Sequence, residues 1–298
     1  MRIVISGASG LIGTALGPAL RAAGHDVTRL VRGAPTEPDE IFWDPRTRIL
    51  DTTRLEGVDA IVNLSGENVA SRRWTAAQRE RIWHSRVDAT YTLVTAVTKL
   101  SRKPVVFLSA SATGFYGDRG DEELTEASGI GHGFFPETCL AWETHAEGAA
   151  RAGVRTALLR FGVVLAPGGG ALATMLPVFR LGLGGRVGDG RQWLSWIALD
   201  DAVAAICFAL SDPRCAGPVN VVAPVPVTNA EFAATLGRVL RRPAVLPVPA
   251  WMLRLVFGRL ADETLLASTR VVPAKLLEAG CGFRHATLEA ALRQMLGK

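Results

Sequence analysis

Residues 7–13 read Gly7-Ala8-Ser9-Gly10-Leu11-Ile12-Gly13, a GxxGxxG run. It lies directly between a β-branched stretch, Ile3-Val4-Ile5, and a segment, 11–23, whose apolar residues recur with helical spacing. A strand that ends in such a run, with a helix that starts in it, has few ways to fold. Gly7 is expected to permit the tight turn, and Gly13 to let the helix pack closely on the strand. Gly10 would let the backbone come up to a pyrophosphate. The phosphates would then rest on the free N–H groups at the positive end of the helix, around Ser9, Leu11 and Ile12. Gly24 closes the helix and 26–31 reads as the next strand, so the unit is a βαβ of about 30 residues.

The second strand ends at Val31-Arg32. An Asp or Glu there would hold both ribose hydroxyls of NAD, whereas an arginine favours the 2′-phosphate of NADP. Arg32 is therefore the expected selector, beside Val31, with Arg29 as a second candidate. The expected cofactor is NADP(H), with NAD(H) the lesser alternative.

Strands are expected at 41–43, 60–64, 105–109 and 156–160, and helices at 75–100 and 137–152. This alternation predicts an α/β fold, a Rossmann-type doubly wound parallel sheet with right-handed crossovers. Asn63-Leu64-Ser65-Gly66 closes one of those strands, which places Leu64, Ser65 and Gly66 beside the cofactor at a carboxyl end. Glycines then crowd 166–195 around an apolar helix at 171–181, without the GK[ST] ending of a P-loop. A lid or connecting loop is expected there. A helix at 200–210 and a strand at 219–222 follow. From Asn229 onward the pattern is mainly helical, broken by Pro243, Pro247, Pro249 and Pro273. The expected division is a cofactor-binding domain, 1–225, and a smaller, mainly helical C-terminal domain, 226–298.

Composition excludes several classes. The net charge of +5 over 298 residues is mild and scattered. Its densest stretch, Arg72 to Arg86 with Trp74 and Trp83 interleaved, reads as a solvated helix face, not an RNA platform. Nucleic acid is not an expected partner. Cys139, Cys207, Cys215 and Cys281 form no CxxC pair, which points to neither zinc nor a redox motif and to a thiol-keeping, cytoplasmic compartment. No metal site is expected. The first apolar run belongs to a strand, not to a signal peptide, and no run nears the ~20 residues of a membrane span.

Taken together these residues resemble the extended short-chain dehydrogenase/reductases. Ser109-Ala110-Ser111-Ala112-Thr113-Gly114-Phe115-Tyr116-Gly117 looks like the catalytic-serine segment of nucleotide-sugar epimerases. Leu159-Arg160-Phe161-Gly162-Val163-Val164 is similar to their strand beside the nicotinamide, which brings Ser109, Gly162 and Val163 to the cofactor. Trp196-Ile197-Ala198-Leu199-Asp200-Asp201 resembles a helix start that usually carries His where this chain has Ala198. The likeness is closer still to an atypical "epimerase family" subgroup of unassigned substrate. It rests on Asn63 through Asn68, Arg73-Trp74, Ser85-Arg86, Leu181 through Gly185, Arg270 through Pro273 and Ala279-Gly280.

The superfamily's chemistry uses a Ser, a Tyr-x-x-x-Lys pair and an Asn. Here the pair falls on Phe135 and Cys139, and Arg86 stands in place of the Asn. Phe135 has no proton to give and a neutral Cys139 has no charge. What remains is Ser111, or Ser109 if the alignment slips. Tyr116 is a second candidate for the proton, if its loop folds over the nicotinamide. Cys139 is a nucleophile only if Arg86 or a helix N-terminus lowers its pKa. Arg86, always charged, is expected to bind the cofactor's phosphates or an acidic group of the substrate. Two readings stand: an NADP(H)-dependent oxidoreductase or redox-assisted epimerase of a small polar substrate, anionic or neutral, with a homodimer left open, and a non-catalytic NADP(H) sensor.

Overall fold

The structure, a computed structural model, describes residues 1–70 and 72–298. Eight strands form the main sheet: β1 (Arg2–Ser6), β2 (Asp26–Val31), β3 (Glu40–Asp44), β4 (Ile49–Leu50), β5 (Ala60–Asn63), β6 (Val106–Ala112), β7 (Arg155–Phe161) and β8 (Gly217–Val221). Their order across the sheet is β8-β7-β6-β5-β1-β2-β3-β4. Every neighbouring pair is parallel except β3 with β4, which is antiparallel. The expected doubly wound Rossmann architecture is the one observed, with the short β4 added at its edge.

Alternation along β1 explains why both faces need a cover. Ile3 and Ile5 join a core with Leu16 and Leu20 of α1 (Leu11–Ala22). Val4 joins the opposite core, with Leu93 and Val97 of α2 (Ala76–Lys99) and Ala146 and Ala149 of α3 (Phe134–Arg151). A strand buried on both sides reads as a continuous apolar run, which is how Ile3 to Ile5, Ala60 to Val62 and Val106 to Leu108 read within β1, β5 and β6. β6 runs on to Ala112, past the expected end at Ser109, because Ser111 and Ala112 stay in register with Arg160 and Phe161 of β7.

The glycine-rich region contains α4 (Gly170–Arg180), whose Leu172, Leu176 and Phe179 share a third core with the C-terminal segment. That core takes Phe232 and Leu236 from α6 (Asn229–Leu240), reached past α5 (Leu199–Ser211). It is completed beyond α7 (Ala250–Phe257) and α8 (Ala274–Glu278) by Leu288 and Leu292 of α9 (Leu288–Leu296). Backbone pairing ties the segments further. Trp193–Leu194 is antiparallel to Val227–Thr228, and Arg270–Val271 is parallel to Glu123–Leu124. Among the described residues no helix is long and apolar enough to cross a membrane.

Candidate functional site

The sheet order reverses at β1, whose neighbours are β2 on one side and β5 on the other. In such a sheet the ligand crevice opens at the carboxyl ends on either side of that reversal, here at Ser6 and Asn63. The glycine run leaves β1 at this point. Gly7 has φ +70°, and a Cβ on it would lie 2.5 Å from the Leu64 carbonyl oxygen. A Cβ on Gly13 would lie 2.4 Å from the Gly7 carbonyl oxygen. Both positions therefore exclude any side chain. Gly10 differs: its Cβ would meet only the Gly7 carbonyl oxygen, at 3.3 Å, and otherwise open space. Ser9 and Gly10 are exposed, Leu11 and Ile12 half-buried, and α1 starts with no side-chain cap and no acidic residue in its first turn. Its leading N–H groups and positive dipole end face the crevice without a protein anion.

A polar cluster backs the crevice. Ser6 donates to Asn63 (2.7 Å), Ser65 donates to Ser6 (2.9 Å), and the Asn63 amide donates to Thr90 (2.8 Å) and Ser109 (3.3 Å). Ser109 is thus committed inside the fold, and Ser111 is the serine nearer the strand's end. Leu64 and Ser65 are half-buried and Gly66 exposed along the rim. Gly162 is packed tightly under Ser195 and Val222 at the end of β7, with Val163 half-buried beside it. At the tip of β2, Val31 is half-buried, while Arg32 is exposed and makes no hydrogen bond or ion pair among the described residues. Arg29, the second candidate, is occupied by Asp39 and Glu40, each at 3.2 Å.

Ser111 leads into a buried network the sequence did not announce. Its hydroxyl donates to Glu143 Oε1 at 2.5 Å. Arg160 holds the same carboxylate with two bonds, Nε to Oε1 at 2.8 Å and Nη2 to Oε2 at 2.7 Å. Arg160 also donates to the Tyr116 hydroxyl (2.9 Å), which donates to Asn220 Oδ1 (2.7 Å), and the Asn220 amide donates to the Val272 carbonyl (3.0 Å). Because arginine can only donate, each proton direction follows. Arg160 lies 3.6 Å over the Phe115 ring.

This geometry corrects two expectations. Tyr116 is fully buried, its hydroxyl is used at both ends, and burial pushes its pKa up; it is a link between β7 and β8, not a proton donor over a nicotinamide. Cys139 is also fully buried, and burial, reinforced by Glu143, pushes its thiol up to about 12. The nearby Arg86 charge opposes that shift without overcoming it, so Cys139 is a neutral core thiol and not a nucleophile. Phe135, at the tyrosine place, packs with Trp74 and is buried.

Arg86 is buried as well, 8 % exposed, and pairs with no carboxylate among the described residues; Glu143 belongs to Arg160. It donates to the carbonyls of Ile82 (3.1 Å) and Glu67 (3.0 Å) and to the Ser85 hydroxyl (3.4 Å). Burial lowers its pKa to about 10, so it stays charged at neutral pH. Trp74, read on a solvated face, is instead buried with its indole donating to the Val69 carbonyl at 2.8 Å.

A further cluster, Asp200, Asp201 and His285, has ligand atoms within 4.8 Å of one another. Asp201 accepts from the backbone N–H groups of Arg284 (2.8 Å) and His285 (3.0 Å), and His285 Nε2 meets Asp200 at 3.0 Å. These contacts dock the C-terminal segment onto α5. No spacing in the sequence could have revealed them.

The comparisons with known proteins agree with this frame. The NAD dependent epimerase/dehydratase family matches residues 3–222, and a domain of unknown function, DUF1731, matches residues 248–295. The epimerase family protein Mb2239 of Mycobacterium bovis is 45% identical over 290 residues, covering 97% of this chain and 96% of its own. The human epimerase family protein SDR39U1 is 38% identical over 299 residues, 99% of this chain and 100% of its own. A crystal structure of the human protein (isoform 2) with NADPH superposes with TM-score 0.91 at 35% identity over 100% of both chains. With that family match over most of its length, and such likeness from end to end, the chain belongs to the NAD dependent epimerase/dehydratase family.

Proposed function

We propose that this chain is an NADP(H)-binding, atypical short-chain dehydrogenase/reductase that carries out oxidoreduction, or redox-assisted epimerisation, of a small polar substrate. One observation carries the reading. The open approach over Gly10 meets the uncapped start of α1 at the switch point of the sheet, where a diphosphate has N–H donors and no competing anion. The human relative solved with NADPH supports the choice of cofactor, as does the uncommitted Arg32. In this seat Ser9, Leu11 and Ile12 bound the diphosphate, Val31 and Arg32 the adenosine end, and Leu64 to Gly66 the rim.

When bound, the cofactor supplies or accepts hydride. The chain's own part is positioning. The Ser111 proton goes to Glu143, which leaves the oxygen's lone pairs for a hydroxyl brought to it. Four unpaired cysteines, three of them buried, suit the reducing conditions of the cytoplasm.

The sensor reading has its own support: Ser111, Phe135, Cys139 and Tyr116 are all buried, Ser111 gives its one proton to Glu143, and none offers a free proton donor. Turnover separates the two. NADPH consumption, or NADP⁺ reduction, is followed with a panel of small hydroxy and oxo acids and sugars. Activity lost in Ser111→Ala with cofactor affinity kept supports the enzyme. Tight cofactor binding with no turnover on any member favours the sensor.

A further inference from the structure

Arg86 is a buried cation without a counterion among the described residues. Three of its hydrogen bonds go to neutral acceptors, the Ile82 and Glu67 carbonyls and the Ser85 hydroxyl, and its Nε–H meets no acceptor. Nearby carboxylates are taken. Glu67 accepts from Gln78 at 2.8 Å and lies 3.7 Å from Arg81, while Glu143 is held by both prongs of Arg160. A second buried donor stands beside it. The Trp142 ring lies 5.2 Å beneath the guanidinium, the residue is 4 % exposed, and its indole N–H is also without an acceptor.

Such an arrangement is costly. A desolvated charge needs an opposite charge, and a buried donor needs an acceptor. The position says where the missing partner arrives. A Cβ on Gly66 would lie 3.1 Å from the guanidinium carbon, so the cation sits directly against the exposed rim of the crevice at the end of β5. We infer that Arg86 and Trp142 form an incomplete oxyanion site, completed by a phosphate or carboxylate oxygen of the bound ligand. The planar guanidinium fork suits either group. The inference rests on the reading above only in naming the cofactor as one source of that oxyanion; the other source is an acidic substrate.

The test uses full-length protein with ¹⁵N-labelled arginine and tryptophan. Arg86→Met and Trp142→Phe assign the two resonances, and each sample is titrated with NADPH, inorganic phosphate and malonate. If the cofactor is the source, NADPH shifts the Arg86 Nε–H and Trp142 indole signals, and Arg86→Met binds NADPH ~10-fold or more weakly, the effect of one charge-assisted contact. If a substrate is the source, NADPH leaves both signals in place, and phosphate or malonate added to the NADPH-saturated protein shifts them. Signals unmoved by all three ligands overturn the inference and make Arg86 a strut for the Glu67 carbonyl. Should Arg86→Met fail to fold, the wild-type signals, assigned through Trp142→Phe and Arg86→Lys, still decide. A wild type that does not bind NADPH refutes the cofactor reading, while the phosphate and malonate titrations go on testing this site.

Discussion

Glu143 on α3 and Arg160 on β7 form a two-pronged ion pair, 2.8 and 2.7 Å, with both side chains about 5 % exposed or less. The pair sets the direction of every proton around Ser111 and Tyr116. It also keeps Glu143 away from Arg86, and so leaves the second cation without a carboxylate partner among the described residues.

Breaking that pair from one side strands a charge in the core. Glu143→Leu or Arg160→Met should each lower stability by about 3–5 kcal/mol, while the double replacement Glu143→Leu with Arg160→Met should cost clearly less than the sum. Urea unfolding of the four proteins checks this. Simple additivity would mean that the two residues act independently.

Gly10 and Gly13 should respond differently to a side chain. Gly13→Val drives a Cβ into the Gly7 carbonyl and should prevent stable folding. Gly10→Val meets only the Gly7 carbonyl oxygen, at 3.3 Å, and otherwise open space, so the fold should survive with a small shift while NADPH binding is lost. Circular dichroism and calorimetry on both variants read the outcome; a folded Gly10→Val protein with normal NADPH affinity would contradict the assignment.

Cofactor choice should hang on Arg32. The wild type should bind NADPH ~10-fold or more tightly than NADH, and Arg32→Asp should erase or reverse that order. Equal wild-type affinities by calorimetry would remove Arg32 from this role.

The Cys139 thiol carries a pH signature. Burial raises its pKa in the folded chain to about 12, above the ordinary value of about 8.5. The unfolded chain therefore loses this proton first. The stability involved is fully present below the ordinary value and is lost as pH climbs toward 12. Iodoacetamide should spare Cys139 in the native protein at about pH 8 and label it once urea unfolds the chain. Rapid native labelling would show an accessible thiolate.

What could be read from sequence was local. Gly7 to Gly13 lie in one turn between adjoining elements, so spacing alone exposes strand, turn and helix, and Arg32 follows from the end of the next strand. The network around Ser111 was hidden because its links span the chain: Glu143 to Arg160 joins a helix to a strand, and Tyr116 to Asn220 is separated by 104 residues. Cys139 and Tyr116 look reactive as residue types, and only burial makes them inert. Arg86 was visible as an arginine in an unusual place. That no carboxylate among the described residues neutralises it could be seen only once Arg160 was found on Glu143.

The most direct test of the cofactor seat is a crystal structure of the protein grown with NADPH. The diphosphate should lie over Gly10 within hydrogen-bond reach of the Leu11 and Ile12 N–H groups, with the 2′-phosphate on Arg32 and the nicotinamide half toward Ser111. A cofactor bound away from the Gly7–Gly13 turn, or seated there with Arg32 turned into solvent and the nicotinamide pointing away from Ser111, would contradict it.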